Sequence, residues 1–207
     1  MKRHRITFGL LLLLAGSVLL GSCIKENKGE TIALIGTEYY IDDILSVIPD
    51  TLQGKFNTLF GGYHQGAIPD KLEGSYVVTP NLLKSTNLPI PTPRLDPDVN
   101  LRFSKQNNGT MVVELYQEST VQTTNPVFVM GSDKEFTVYF VEEKSIETGA
   151  WMKRGVVISG RLTDSGLANF RMAFVILESE GELAPAPGSY YYYEDGDAMA
   201  RNCDWPL

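Results

Sequence analysis

Ser189-Tyr190-Tyr191-Tyr192-Tyr193-Glu194-Asp195-Gly196-Asp197 sets a run of phenols against three carboxylates, and three kinds of chemistry fit those residue types. In an extended strand successive side chains alternate faces, so Tyr190 and Tyr192 point one way and Tyr191 and Tyr193 the other. Turned inward beside Tyr76 and Tyr139, the pair Tyr190 and Tyr192 would line an apolar pocket for a small amphiphile or a glycan fragment. Glu194, Asp195 and Asp197 offer oxygens to calcium, yet that ion takes about six to eight, and the D-x-[DN]-x-[DN]-G order with its distal glutamate is missing. Glu73 brought to Asp195 or Asp197 would make a carboxylate pair for general acid/base work or glycoside cleavage, provided the groups come within about 5–9.5 Å.

Other catalytic types are scarce. The histidines are His4 and His64, and His4 lies in an N-terminal leader, so a Ser-His-Asp triad would have to use His64. A zinc site rich in His or Cys cannot be assembled from what remains. There is no G-x-S-x-G elbow and no phosphate-cradling glycine loop ahead of a helix. The expectation is a chain without enzymatic activity and without a cofactor.

The leader reads MKRHRITFGLLLLLAGSVLLGSC, with Lys2, Arg3 and Arg5 ahead of an apolar run from Ile6 to Leu20. A basic start, a short apolar stretch and small residues before a cleavage point make a secretory signal over residues 1–22. Leu20-Gly21-Ser22-Cys23 resembles the lipobox of bacterial lipoproteins, which implies a thioether-linked diacylated group on Cys23, with chains such as palmitate, and cleavage before it. Several acyl chains at about 0.8 kcal/mol per buried CH2 hold a protein firmly on a bilayer. An uncleaved transmembrane helix is the alternative, opposed by Gly9, Gly16 and Ser17 within the run. Residues 23–37 then read as the lipidated cysteine and a polar tether.

Losing Lys2, Arg3 and Arg5 from 18 basic residues leaves 15 against 25 acidic ones, a mature charge of −10. Such a surface repels phosphate backbones, so nucleic acid is not an expected partner. With Cys23 acylated, Cys203 has no thiol to pair with, and the fold must be held by its core.

Helical periodicity occupies residues 38–62. Ile41, Ile44, Leu45 and Ile48 suit one short helix; Leu52, Phe56, Leu59 and Phe60 suit a second, between Pro49 and Gly61-Gly62. From 63 to 207 the chain changes to short β-branched and aromatic runs near 74–79, 99–105, 110–118, 126–131, 135–143, 153–163, 167–178 and 189–194. Asn107-Asn108-Gly109, Gly131-Ser132-Asp133 and Thr163–Gly166 are hairpin-sized connections, whereas Pro80–Asp98 and Glu178–Pro187 are proline-rich and read as irregular. Alternation along the runs predicts one dry and one wet face. Eight antiparallel strands in sequential order predict an up-and-down barrel of the lipocalin or calycin kind, with Gly160 as a bend.

Gly66-Ala67-Ile68-Pro69, Leu72–Tyr76, Val157–Gly160 with its Thr163–Gly166 turn, and Tyr193–Asp197 resemble a group of uncharacterised Bacteroidetes lipoproteins with a lipocalin-like β-domain. That resemblance implies a location in the cell envelope and a barrel-like fold, and brings no catalytic residue. The expected function is a lipid-anchored binding module on the outer membrane, its facing side left open, for a small amphiphilic or glycan ligand. The alternatives are an interaction subunit of an outer-membrane assembly, marked by a filled interior and an exposed aromatic patch, and a carboxylate hydrolase.

Overall fold

Inward-facing apolar residues at every second position organise the domain. The computed structural model describes residues 31–34, 37–40, 47–64, 66, 69–107, 109–117, 120–146 and 149–205, with the backbone alone for 31–34, 37–40, 117 and 120–126. Cys23, its leader and residues 41–46 of the first expected helix lie outside the described residues.

Where the tether and the start of that helix were expected, strands β1 (Thr31–Leu34) and β2 (Thr37–Tyr40) pair antiparallel. Threonine, isoleucine and tyrosine favour the pleated backbone, and a two-residue separation is hairpin length. The described residues hold one helix where two were expected, α1 (Asp50–Phe60). Pro49 precedes it as N-cap, and Gly61 ends it in the left-handed region at φ 67°, with the Gly62 amide returning to the Asn57 carbonyl at 2.9 Å.

The main sheet comprises β3 (Gly74–Val78), β4 (Asn81–Thr86), β5 (Arg94–Asp96), β6 (Val99–Asn107), β7 (Thr110–Gln117), β8 (Thr120–Ser132), β9 (Glu135–Ser145), β10 (Trp151–Thr163), β11 (Gly166–Glu180), β12 (Tyr190–Asp195) and β13 (Met199–Asn202). All its pairings are antiparallel, in the order β10-β9-β8-β7-β6-β3-β13-β11 and on to β12-β4-β5. Because β10 also pairs β11, the first eight close into a ring. Gly160 is skipped at the register shift between β10 and β11, as a bend there requires.

Pro80–Asp98 is not irregular throughout: it contains β4 and β5. The prolines sit between the strands or beyond their ends, where no ladder N–H is needed. The tyrosine run is likewise not the last strand. β12 pairs Arg171–Val175, and after the acidic turn β13 resumes on the same side of β11 against Gly166–Ala168. The turn is an excursion between two parts of one path. On the neighbouring strands Thr79-Pro80 and Pro97-Asp98 interrupt the path at the same level, since Asn81 opposes both Asp195 and Asp96. There β12, β4 and β5 leave the ring as an extension.

The ring encloses one packed cluster, with Phe103, Phe136, Phe140, Val156, Ile158, Phe170 and Met172 among its buried members. Alternate positions of single strands supply it: Met111, Val113 and Leu115 on β7, Phe136, Val138 and Phe140 on β9, Phe170 and Met172 on β11. The expectation of one wet face fails on β9 to β12. Their outer side carries Tyr139, Val157, Ala173, Val175, Tyr190 and Tyr192, and α1 covers it with Phe56 and Phe60. Each such buried aromatic contributes about 1.5–3 kcal/mol, so the helix belongs to a second core. Gly155 allows the close approach, because a Cβ there would overlap the Val47 carbonyl oxygen. No helix among the described residues is long and apolar enough to cross a membrane.

Candidate functional site at the mouth of the ring

Pairing assigns each tyrosine its face. Tyr190 and Tyr192 turn to the outer core, where Tyr190 meets Phe56 at 5.7 Å between ring centroids and Tyr192 meets Phe60 edge-on at 5.4 Å. The Tyr192 hydroxyl donates to the Leu59 carbonyl at 2.7 Å and also lies 2.9 Å from Glu194 Oε1. Arg171 donates to the neighbouring Phe60 carbonyl, so a cation and a phenol receive the negative end of α1. Tyr139 is in this same outer core, beside Tyr63. Tyr76 is in the ring core instead, its hydroxyl on the Leu72 carbonyl at 2.8 Å. The four tyrosines expected to share a pocket are thus divided between two packed cores on opposite faces of the sheet. Burial pushes the phenols of Tyr139 and Tyr192 well above the usual range and that of Tyr76 up to about 12.

The other pair, Tyr191 and Tyr193, faces a cavity of about 190 Å3. Inward rows on three strands explain its place. On β9 the row runs Phe136, Val138, Phe140, Glu142, Lys144; on β10 it runs Ile158, Val156, Arg154, Met152, with Arg154 opposite Glu142 and Met152 opposite Lys144. On β11 it runs Phe170, Met172, Phe174, Ile176. The interior is apolar along most of the ring and becomes charged at one end. Beyond that level the extension β12-β4 replaces the ring wall, and the space between is not filled. Met172 and Val99 of the core form part of the lining, with Pro185 from the loop after β11.

Glu142 and Arg154 form an ion pair, and the guanidinium lies 4.0 Å from the centroid of the Phe174 ring. Their side chains are 6% and 11% exposed, so removing either partner would leave the other as an uncompensated buried charge. Tyr193 packs edge-on against Phe174 and donates to Asp96 Oδ2 at 3.0 Å, while Arg94 grips Asp96 through two nitrogens at 2.6 and 2.9 Å. Burial raises the Tyr191 phenol, and the charges of Arg94 and Arg154 pull it partly back.

Asn81 completes the lining from the opposite wall. It is 1% exposed; its Nδ2 donates to the Pro97 carbonyl at 2.9 Å, and its Oδ1 is buried with no partner. An orphaned buried acceptor costs roughly 1–3 kcal/mol. A ligand donor there would recover that energy.

The acidic turn is spent on the backbone. Asp195, 3% exposed, accepts from the amides of Thr79 at 3.0 Å, Asp197 at 3.1 Å and Met199 at 3.4 Å. It ties the interruption in β3-β4 to that in β12-β13, while Gly196 N–H donates to the Pro80 carbonyl at 2.8 Å. Asp197 pairs with Arg201, and Glu194 lies 3.7 Å from Lys84. Burial, then the neighbouring Asp197 carboxyl, raise Asp195; Asp197 is held low by Asp195 and Arg201. Among the described residues no three of His, Cys, Asp and Glu are grouped to hold a metal, so Glu194, Asp195 and Asp197 do not converge as calcium ligands.

Glu73 accepts from the Gln106 amide and pairs with Lys71 at 2.9 Å, just before β3 begins. Asp195 sits beyond the other end of β3, roughly 20 Å away at strand rise, so the two carboxylates cannot act as a pair. His64 pairs with Glu135 at 3.2 Å on the surface, its amide on Thr137 Oγ1.

Sequence reasoning missed Asn81, Lys144, Met152 and Arg154. The sequence carried one usable signal, the change within a single alternating row from Phe136-Val138-Phe140 to Glu142-Lys144, which marks where an enclosed face meets solvent. Comparison with protein-family models, with curated proteins and with solved structures returns no match.

Proposed function

We propose that the chain is a lipid-anchored protein of the cell envelope whose domain, a calycin-like barrel similar to those of uncharacterised Bacteroidetes lipoproteins, is a non-enzymatic module binding a small amphiphilic or glycan ligand. One observation carries the reading: the 190 Å3 cavity at the charged end of an otherwise packed ring, lined by Tyr191, Tyr193 and Phe174. Ligand pockets usually run about 300–1,000 Å3, so the occupant is one small molecule or the end of a larger one. Aromatic faces with a few placed polar groups suit an amphiphile or a sugar ring.

The packed interior of the ring supports the second reading, an interaction subunit. The aromatic patch which that reading requires is missing among the described residues, where the exposed large apolar side chains are Leu95, Val141 and Leu183. Isolated apolar side chains are ordinary on a surface.

Two measurements test the proposal. Met152→Trp enlarges a side chain on the cavity wall and should abolish saturation transfer from the protein to 1-hexanol, while Tyr190→Phe, on the outer core, should leave it unchanged. Equal transfer in wild type and both variants would remove the cavity as the site. For the anchor, Cys23→Ala should move the protein from the detergent to the aqueous phase in a phase-partition assay, and unchanged partitioning would defeat the lipobox reading.

A further inference from the structure

We propose that the occupant of the mouth cavity is a neutral alcohol, with a single hydroxyl that donates to Asn81 Oδ1 and an apolar body about the size of one ring. This rests on the cavity being a binding site and chooses the amphiphile over the glycan.

The lining leaves one buried polar atom unused. Among the described residues the buried side-chain polar atoms without a partner are Tyr63 Oη, Asn81 Oδ1 and Trp205 Nε1, and of these residues Asn81 alone lines the cavity. Asn81 is 1% exposed, and the Pro97 carbonyl already takes its amide. The atom left over is therefore an acceptor and calls for a donor. The other polar groups of the wall are committed: Arg154 pairs with Glu142, the Tyr193 hydroxyl donates to Asp96, and Lys144 is engaged as well. Neither cation is free to receive an anion, so a charged ligand would lose its water without gaining a counter-ion. A sugar ring brings several hydroxyls. Each one beyond the first would be buried against Val99, Met152, Met172, Phe174 and Ile176 without a partner. A hydrocarbon or an ether fills the space but leaves Oδ1 orphaned. Size agrees with one hydroxyl on one apolar body: an apolar cavity of about 150 Å3 holds benzene, so the 190 Å3 here takes one ring with a short arm.

Met152 and Met172 line the cavity, so their methyl resonances report occupancy at the site itself. The test is titration of the full lipid-anchored chain in nanodiscs, isotope-labelled at its methionine methyl groups and followed against the free aqueous ligand. The probes are phenethyl alcohol, its isomer benzyl methyl ether, phenylacetate and methyl glucoside. Phenethyl alcohol should shift both methyls and bind at least about tenfold tighter than the ether, with phenylacetate and methyl glucoside weaker still. Asn81→Leu should bring the alcohol down to the ether and leave the ether unchanged. If Asn81→Leu fails to fold, the wild-type ranking decides alone. Equal affinity for alcohol and ether would overturn the hydroxyl on Asn81 and leave the cavity as a binding site. Phenylacetate or methyl glucoside binding as tightly as the alcohol would overturn the neutral, single-hydroxyl class. No shift with any probe would overturn the binding module itself, and this inference with it.

Discussion

Asp195→Ala should lower the unfolding free energy by up to roughly 2–6 kcal/mol, counting at most about 1–3 kcal/mol for each of two part-buried donors, the Thr79 and Asp197 amides, that lose this acceptor, while the Met199 amide keeps Asp197 Oδ1. The carboxylate serves both interrupted paths: Oδ2 takes the Thr79 amide, and Oδ1 takes those of Asp197 and Met199. Ala198, next to it, is held at φ 63°, a left-handed conformation that persists in a non-glycine residue only where surroundings over-determine it. Asp195→Asn retains one acceptor oxygen and should lose about half as much. Urea unfolding with unchanged m-values measures both. An Asp195→Ala midpoint equal to wild type would show that the turn is not what joins the extension to the ring. A calcium site in the same residues makes the opposite forecast: the wild-type midpoint would fall on chelation, whereas backbone anchoring leaves it in place.

Raising the pH from 10 to 12 should unfold the protein. Tyr76, Tyr139 and Tyr192 are 2%, 4% and 2% exposed, and burial raises all three phenols above the ordinary value of 10. In the unfolded chain they ionise near pH 10; in the folded chain they stay protonated until higher pH. A raised folded pKa contributes stability that is complete below pH 10 and lost as pH climbs toward the folded value. Each phenol removes about 1.4 kcal/mol per pH unit in that window, so three remove about 4. Two such units remove about 8 kcal/mol, which exceeds the stability of a domain in the lower part of the ordinary range of about 5–15 kcal/mol. Tyrosinate absorbance and near-ultraviolet circular dichroism should therefore change together in one steep transition. Phenols that all ionise near pH 10 with tertiary dichroism intact would contradict their burial. Burial raises the Tyr63 and Tyr193 phenols as well, so Tyr76→Phe should reduce the slope by about a fifth.

Much of the architecture was legible because the relevant physics is local. Period-two rows on β7, β9 and β11 named the ring core, and Gly61-Gly62 named the end of α1. β4 and β5 were hidden by prolines at 80, 89, 91, 93 and 97, which suppress a strand reading although they occupy the gaps between ladder positions. The dry outer face was hidden as well. Val157 and Ala173 are apolar and Tyr190 amphipathic, and nothing along a single strand tells whether a helix from elsewhere will cover them. The site was the least legible part, because Asn81 on β4 reaches Lys144 and Arg154, on the paired strands β9 and β10, only through the β10–β11 closure and β12.

By itself the sequence determined that this is a mostly β, antiparallel, acidic chain, and that Tyr190 and Tyr192 share one face while Tyr191 and Tyr193 share the other. Only the tertiary structure decided which face is which. α1 covers the first pair, and the second pair looks onto the cavity where β12, β4 and β5 leave the ring. The reason is that alternation is a property of one strand, whereas inside and outside are defined by the neighbours that close around it.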